Sequence, residues 1–366
     1  MRIFQSRPAL RWLVPLAFLL VLTGTGLVAV TARADRKLPA RSAEQLLVDV
    51  QQARVDGLSG TVIQRANLGI PEIPGAGGRD SSELTSLISG THTLRVRFSG
   101  EDKARLAVLG TLGETDVIRN GSDLWIWSSK EQAATHRTIE PGSRPDRTDE
   151  LPADVPDTPQ DAAEQVLAAL EPTTTVSTDS AVTVADRAAY ELVLDPNDDS
   201  TLISQIRMAI DGETKMPLRV QIFGVNDVLV FEVGYDEVSF TTPEDREFEF
   251  KAPKGTTVTE AGPITPRTPT GEERKGAQQK AADARERVQV TGTGWSTVVV
   301  SDIGDDPELA GAEQLQAFLS QLPQVKETWG SGRLLEGTAF SAVLTDDGRI
   351  AIGAVRPEKL YEALAR

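Results

Sequence analysis

Two histidines, His92 and His136, are the only imidazoles among 366 residues, and there is no cysteine. A thiol nucleophile, a disulfide and any Cys-based metal site are thereby excluded. Neither histidine sits in an H-E-x-x-H helix or in triad-like company. Each lies on or beside a different strand candidate, so both read as ordinary strand-face or surface residues. Asp195-Pro196-Asn197-Asp198-Asp199 imitates the start of a calcium loop, which needs Gly at its sixth position and Glu at its twelfth. Ser200 and Ile206 stand there instead, which leaves a solvated turn. Gly292-Thr293-Gly294 lacks the third glycine of a dinucleotide fingerprint, and Gly330-Ser331-Gly332 reads as a loop. The carboxylates show no pairing for acid/base work and read as acidic surface. The sequence implies no cofactor, no metal and no catalytic residue.

The bulk numbers narrow the field further. Thirty-eight Lys and Arg face fifty-four Asp and Glu, a net charge of −16. Nucleic-acid binding calls for a basic footprint, so that class is set aside. Arg2, Arg7 and Arg11 precede an apolar run from Trp12 to Val30, and Ala32-Arg33-Ala34 matches the small-x-small cleavage pattern of an export signal. A run of about 19 apolar residues also reaches the lower end of what spans a bilayer. Residues 1–34 are therefore a signal peptide or an uncleaved anchor, and both place the bulk of the chain outside the cytoplasm. With no cysteine, the chain cannot itself be lipidated at an N-terminal thiol.

The elements that follow are mostly strands. Ser42 and Gln45 form a capping box for a helix carrying Leu46, Leu47, Val50 and Ala53 on one stripe, with Gly57 expected to end it. Leu58 to Arg65 is the first strand. Gly69 to Ser82, rich in Pro and Gly, is a loop. A hairpin follows: Leu94, Val96 and Phe98 alternate with Arg95 and Arg97, and Ala104, Leu106 and Val108 alternate with Lys103 and Arg105, so the apolar residues share one side. Glu114 to Arg119 turns through Asn120-Gly121 into Leu124 to Trp127, a strand apolar on both faces and so covered on both. Thr158 and Pro159 open a second helix. Further on, Ile206, Met208 and Ile210 alternate with polar neighbours, as do Leu218, Val220 and Ile222. Asp211-Gly212 joins these two strands with a strong hairpin signal. Lys251 to Arg287 is linker-like in composition, its end from Gly276 a candidate short helix. Beyond it a small α+β domain is expected: a strand at Trp295–Val300, a helix at Glu308–Leu322, a hairpin of Phe340–Leu344 with Ile350–Val355, and a last helix from Pro357.

The order of pieces in the middle of the chain resembles a known family. Tyr190, Leu192, Leu194 and Pro196, then Asp211, Gly212, Pro217, Leu218 and Arg219, then Phe231, Val233, Phe248, Phe250, Pro253 and Gly255 follow the pattern of the LolA/RseB-like group. The earlier run Asn120-Gly121-Ser122-Asp123-Leu124-Trp125-Ile126-Trp127 is similar to that group's "dG-x-x-LW" strand. The resemblance implies an α+β fold: a curved antiparallel half-barrel over residues 35–255, closed by helices. A linker at 256–287 and a small α+β domain at 288–366 complete the organisation. It also implies a non-enzymatic, extracytoplasmic carrier or chaperone that shelters a lipid or the acyl chains of a lipoprotein, with the Gly69–Ser82 loop as a lid. The candidate cavity residues are Leu94, Val96, Phe98, Leu106 and Val108 from the first hairpin, Trp125 and Trp127, and Ile206, Met208, Leu218, Val220 and Ile222 from the second. A two-domain layout resembles RseB, an envelope-stress sensor, and gives the alternative partner, a membrane protein such as an anti-sigma factor or a transporter. A structural envelope module without ligand is the third reading. Alternation by itself leaves open whether the apolar faces are filled core or cavity.

Overall fold

The computed structural model describes residues 38–70, 87, 89–111, 113–140, 172–264, 287–302 and 318–366. The export segment, the Gly69–Ser82 loop beyond Ile70, the helix expected after Thr158, the one from Gly276 and most of Glu308–Leu322 lie outside the described residues.

Helix α1 spans Ala43–Gln52 and begins as expected. The Gln45 N–H donates to Ser42 Oγ and the Ser42 N–H donates to Gln45 Oε1, each at 3.2 Å. Its other end differs from expectation. Arg54 donates to the carbonyls of Gln51 and Ala53 and so satisfies the open end of the helix, while Gly57 already belongs to the next strand.

Among the described residues eleven strands then follow. They are β1 (Gly57–Ala66), β2 (Gly90–Ser99), β3 (Lys103–Gly110), β4 (Gly113–Asn120), β5 (Asp123–Ser128), β6 (Ala133–Thr138), β7 (Thr174–Val184), β8 (Arg187–Pro196), β9 (Ile203–Asp211), β10 (Pro217–Gly224) and β11 (Val228–Ser239). With a short β12 (Thr257–Glu260) they build one open sheet in the order β12-β6-β5-β4-β3-β2-β1-β11-β10-β9-β8-β7. Two meanders, β1 to β6 and β7 to β11, are joined where β1 pairs with β11. All pairings are antiparallel except β12 with β6. The expected first hairpin stands in the expected register, with Leu94 opposite Val108 and Val96 opposite Leu106. The Asp211-Gly212 hairpin is also present, but the loop runs from Gly212 to Met216. Gly212 is needed for space and not for its backbone angle, because a Cβ there would lie 2.7 Å from the Leu38 side chain and 2.9 Å from the Ala188 carbonyl.

The second sheet holds β13 (Val288–Thr291), β14 (Val298–Asp302), β15 (Gln324–Glu327), β16 (Gly330–Glu336), β17 (Ser341–Thr345) and β18 (Arg349–Gly353) in the order β13-β14-β18-β17-β16-β15. Helix α2 (Pro357–Leu364) lays Leu360, Ala363 and Leu364 on Val298, Val300, Val343 and Ala351. Trp295 is not in a strand; it sits in a 3₁₀ turn before β14.

The expected linker at 256–287 is corrected at its start. Thr257–Glu260 is a strand of the first sheet, and Ile264 bridges to Ile139. Its low apolar content is that of an exposed edge strand, all four residues facing solvent, and composition alone cannot separate that from a linker. The two sheets also touch. The Leu202 N–H donates to Ala354 O at 2.8 Å and the Thr338 N–H to Leu68 O at 2.8 Å. Trp295 Nε1–H donates to Thr174 Oγ1 at 2.8 Å. Ile203, Val230 and Ala339 form a small core across this seam, with Leu68, Ile206, Ile222, Trp295 and Ala354 packed on it.

Candidate functional site

Residues opposite one another in an antiparallel pair point to the same side of the sheet. Following the registers from β11 outward, Val238, Gly60, Val96, Leu106, Val117 and Ile126 are successive partners on β11, β1, β2, β3, β4 and β5. They form one apolar row on one face, hereafter the helix face, because Leu46 of α1 packs on the same face farther along, against Tyr190, Leu192 and Ile210. The row is not filled core. Val96, Leu106, Val117 and Val238 are half-buried, and Ile126 is 42 % exposed. Beside it on the same face, two residues along each strand, Val62, Leu94 and Val108 are buried, and Val96 and Leu106 lean on them together with Leu87, Val233 and Tyr235. Burial pushes the Tyr235 phenol up to about 12. Gly60 is required under this ring, since a Cβ there would come within 2.8 Å of it.

The twelve predicted cavity residues do not all share this place. Leu94, Val96, Leu106 and Val108 come together as expected, with Phe98 buried on the same face opposite Leu58. Val220 is half-buried between Met208 and Val233. Met208 belongs to the packing around α1. Ile206 and Ile222 are taken up by the seam with the second sheet. Leu218 is buried at a strand irregularity with Val184, Ala189 and Ala209. Trp125 and Trp127 are corrected outright: they pair with Ile118 and Asp116, on the side opposite to Val117 and Ile126. Adjacent residues of a strand face opposite ways, so these tryptophans cannot line a cavity with Val96. The row members that sequence reading missed, Val117, Ile126, Val238 and Gly60, become visible only when the register aligns them.

The opposite face is covered by a strap. A 3₁₀ turn at Asp245–Phe248 buries Phe248 completely. Lys103 pairs with Asp245 at 2.6 Å and Arg97 with Glu247 at 2.7 Å. Phe250 then packs on Trp125 and Trp127, with ring centroids 4.8 and 6.4 Å away. Between strap and sheet is a cleft of about 230 Å³ lined by Arg105, Asp116, Trp127 and Phe250. Asp116 is 2 % exposed and ion-paired to Arg105. Asp116 Oδ1, Arg105 Nε and Trp127 Nε1 are buried without a hydrogen-bond partner. Glu114 is held above the usual carboxylate range by burial and by the neighbouring Asp116 charge.

His136 lies at the edge of this face. Its ring stacks on Trp125 at 4.3 Å, with Nδ1 2.7 Å from Glu260 and Nε2 2.9 Å from Asp123. It is therefore more than the ordinary surface residue that its sequence context indicates. Among the described residues no group of three His, Asp or Glu is arranged to hold a metal ion, and no helix is long and apolar enough to cross a membrane.

No protein-family model matches the chain, and no curated protein sequence does either. Solved structures do. An uncharacterized conserved protein from Thermus thermophilus is 11 % identical, with 60 % of this chain and 100 % of that one covered and a TM-score of 0.33. A LolA superfamily protein from Nitrosomonas europaea is 13 % identical over 58 % of this chain and 99 % of that one, with a TM-score of 0.21. The Pseudomonas aeruginosa MucA/MucB complex is matched at 13 % identity over 88 % of this chain and 94 % of that one, with a TM-score of 0.38. The chain is thus similar, at a distance too great to carry a ligand or partner across, to solved structures that include the LolA superfamily its sequence resembles.

Proposed function

We propose that the chain is an extracytoplasmic lipid-binding protein, and that the Val238–Gly60–Val96–Leu106–Val117–Ile126 row is where an acyl chain lies. The observation that supports this is an apolar row left half-exposed beside a tightly packed cluster on the same face. Six strands spaced by about 4.8 Å give a row about 24 Å long, the scale of one long acyl chain. Burial would stabilise the complex by roughly 0.8 kcal/mol per methylene. Binding of this kind makes and breaks no covalent bond, so the role is carrier or chaperone rather than enzyme. Its cargo is a lipid or an acylated lipoprotein.

The test uses Val96→Arg and Leu106→Arg with a fluorescent fatty-acyl probe. At half-exposed positions the charged head reaches water, so thermal stability should hold while probe binding is lost. No binding by the unmutated protein, or unfolding of both variants, overturns the reading and leaves a structural envelope module.

A second reading, a sensor that docks a membrane protein such as an anti-sigma factor or a transporter, is favoured by one feature. The second sheet is seated on the first through the Leu202–Ala354 and Leu68–Thr338 bonds, a second unit available for docking a partner. Purification from membranes should bring a stoichiometric membrane protein with the sensor and co-purifying lipid with the carrier.

A further inference from the structure

We propose that His136, Asp123 and Glu260 form a proton-operated clasp that fastens strand β12 to the edge of the long sheet and releases it as pH rises. Counting donors leads there. A carboxylate only accepts hydrogen bonds, and a neutral imidazole has one N–H. Both ring nitrogens of His136 face a carboxylate oxygen, at 2.7 and 2.9 Å. Both contacts are hydrogen bonds at once only when the ring is an imidazolium.

The carboxylates come from different elements. Asp123 opens β5 and Glu260 closes β12, with His136 on β6 between them. The charged groups that act most on the ring are these two; Arg137, next along β6, points to the other face. Partial burial pulls the His136 pKa down, but the bonds to Asp123 and Glu260 and their charge outweigh it, and the value is raised above its ordinary 6.5. A raised histidine gives its stabilisation in full below the unfolded pKa and loses it as pH rises through the folded one. The clasp is closed while the ring is protonated and opens as pH rises through the raised His136 pKa.

What it fastens is held otherwise by backbone hydrogen bonds alone, with no buried apolar side chain of its own. All four β12 residues are exposed, with Val258 at 44 %. Besides the ladder to β6 there remain the Thr257 N–H bond to Gln132 O at 2.8 Å, the Ala261 N–H bond to His136 O at 2.9 Å, the Ile264 N–H bond to Thr138 O at 2.8 Å, and the Ile139–Ile264 bridge with its Glu140 N–H bond to Ile264 O at 3.3 Å. Release stops at the strap, because Phe250 packs on Trp125 and Phe248 is fully buried. Opening therefore bares the edge of β6 and lets out the stretch up to Ile264 without unfolding the sheet.

The experiment is hydrogen exchange on the full chain, read as protection factors corrected for the intrinsic pH dependence, together with an NMR titration of the His136 ring. Protection of the Thr257, Ala261 and Ile264 amides should fall several-fold between about pH 5.5 and about pH 9, in step with His136 deprotonation and at a midpoint above the ordinary value. In His136→Phe, which keeps an aromatic ring to stack on Trp125, the same amides should be weakly protected at every pH. Glu260→Gln should lower the His136 midpoint. A His136 midpoint at or below 6.5, or β12 protection that ignores pH in the unmutated chain, overturns the clasp. So does a pH response unchanged in His136→Phe.

Discussion

The two ends of the helix face are built from the same pattern and reach opposite outcomes. At the β7–β9 end, alternating residues Tyr190, Leu192 and Ile210 are covered by α1 and are at most 3 % exposed. At the β3–β5 end, Leu106, Val117 and Ile126 alternate in the same way and range from half-buried to exposed. Alternation states which side is apolar. Whether that side becomes core is decided by what packs on it, and α1 lies over the first end only.

Breaking the filled end should be costly. Asp211 closes the β9–β10 loop there, fully buried, with both oxygens bound by Arg187 and with Oδ2 accepting from the Thr214 N–H and Oγ1–H. Asp211→Ala leaves Arg187 with Glu213 alone and the Thr214 donors without their acceptor, and should cost about 3 kcal/mol in denaturant unfolding. Leu46→Ala opens a cavity under α1 and should cost about 3 kcal/mol. Ile126→Ala, the corresponding truncation at the open end, should stay within about 0.5 kcal/mol; a cost similar to that of Leu46→Ala would erase the contrast between the ends.

Smaller effects sharpen it. Trp295→Phe keeps the ring in the seam but removes its bond to Thr174, a loss of about 1 kcal/mol, read as easier proteolysis between the sheets. An acid titration separates the ends without mutation. Burial raises the Asp211 carboxyl, but Arg187 and the Thr214 bonds outweigh this and leave it below the usual carboxylate range. Its stabilisation is present above the unfolded value of about 3.9 and is lost only as pH falls below that. Asp211→Asn should flatten that acid limb of the stability curve, whereas Ile126→Ala should leave it unchanged.

Much of this is legible in the residues, and the remainder has identifiable causes. Capping at Ser42–Gln45, the Leu94–Val108 hairpin and the Pro357 helix depend on contacts between near neighbours, so local spacing reports them. Trp125 and Trp127 read as cavity because an all-apolar strand carries no sign saying which face is which. Ile206 and Ile222 satisfy the alternation rule for a cavity and are spent on the seam, a contact with residues more than a hundred positions away. His136 reads as ordinary because Asp123 reaches it only across the β5–β6 hairpin and Glu260 only after a parallel strand returns to the edge.

The pairing of β1 with β11, Ser59 opposite Ser239, has a consequence for how the chain comes to life. The first meander forms from local hairpins, but its inner edge stays open until the last strand of the second meander arrives. Contacts of such long sequence separation form slowly, and an unpaired edge invites pairing with other chains. During synthesis, β1 would wait as an exposed template until the chain has grown from Ala66 to Ser239, and the same wait recurs on every refolding. Yield on refolding should accordingly fall with protein concentration, and a peptide copying Val228–Ser239, supplied in excess, should compete for the waiting edge and trap the half-built sheet.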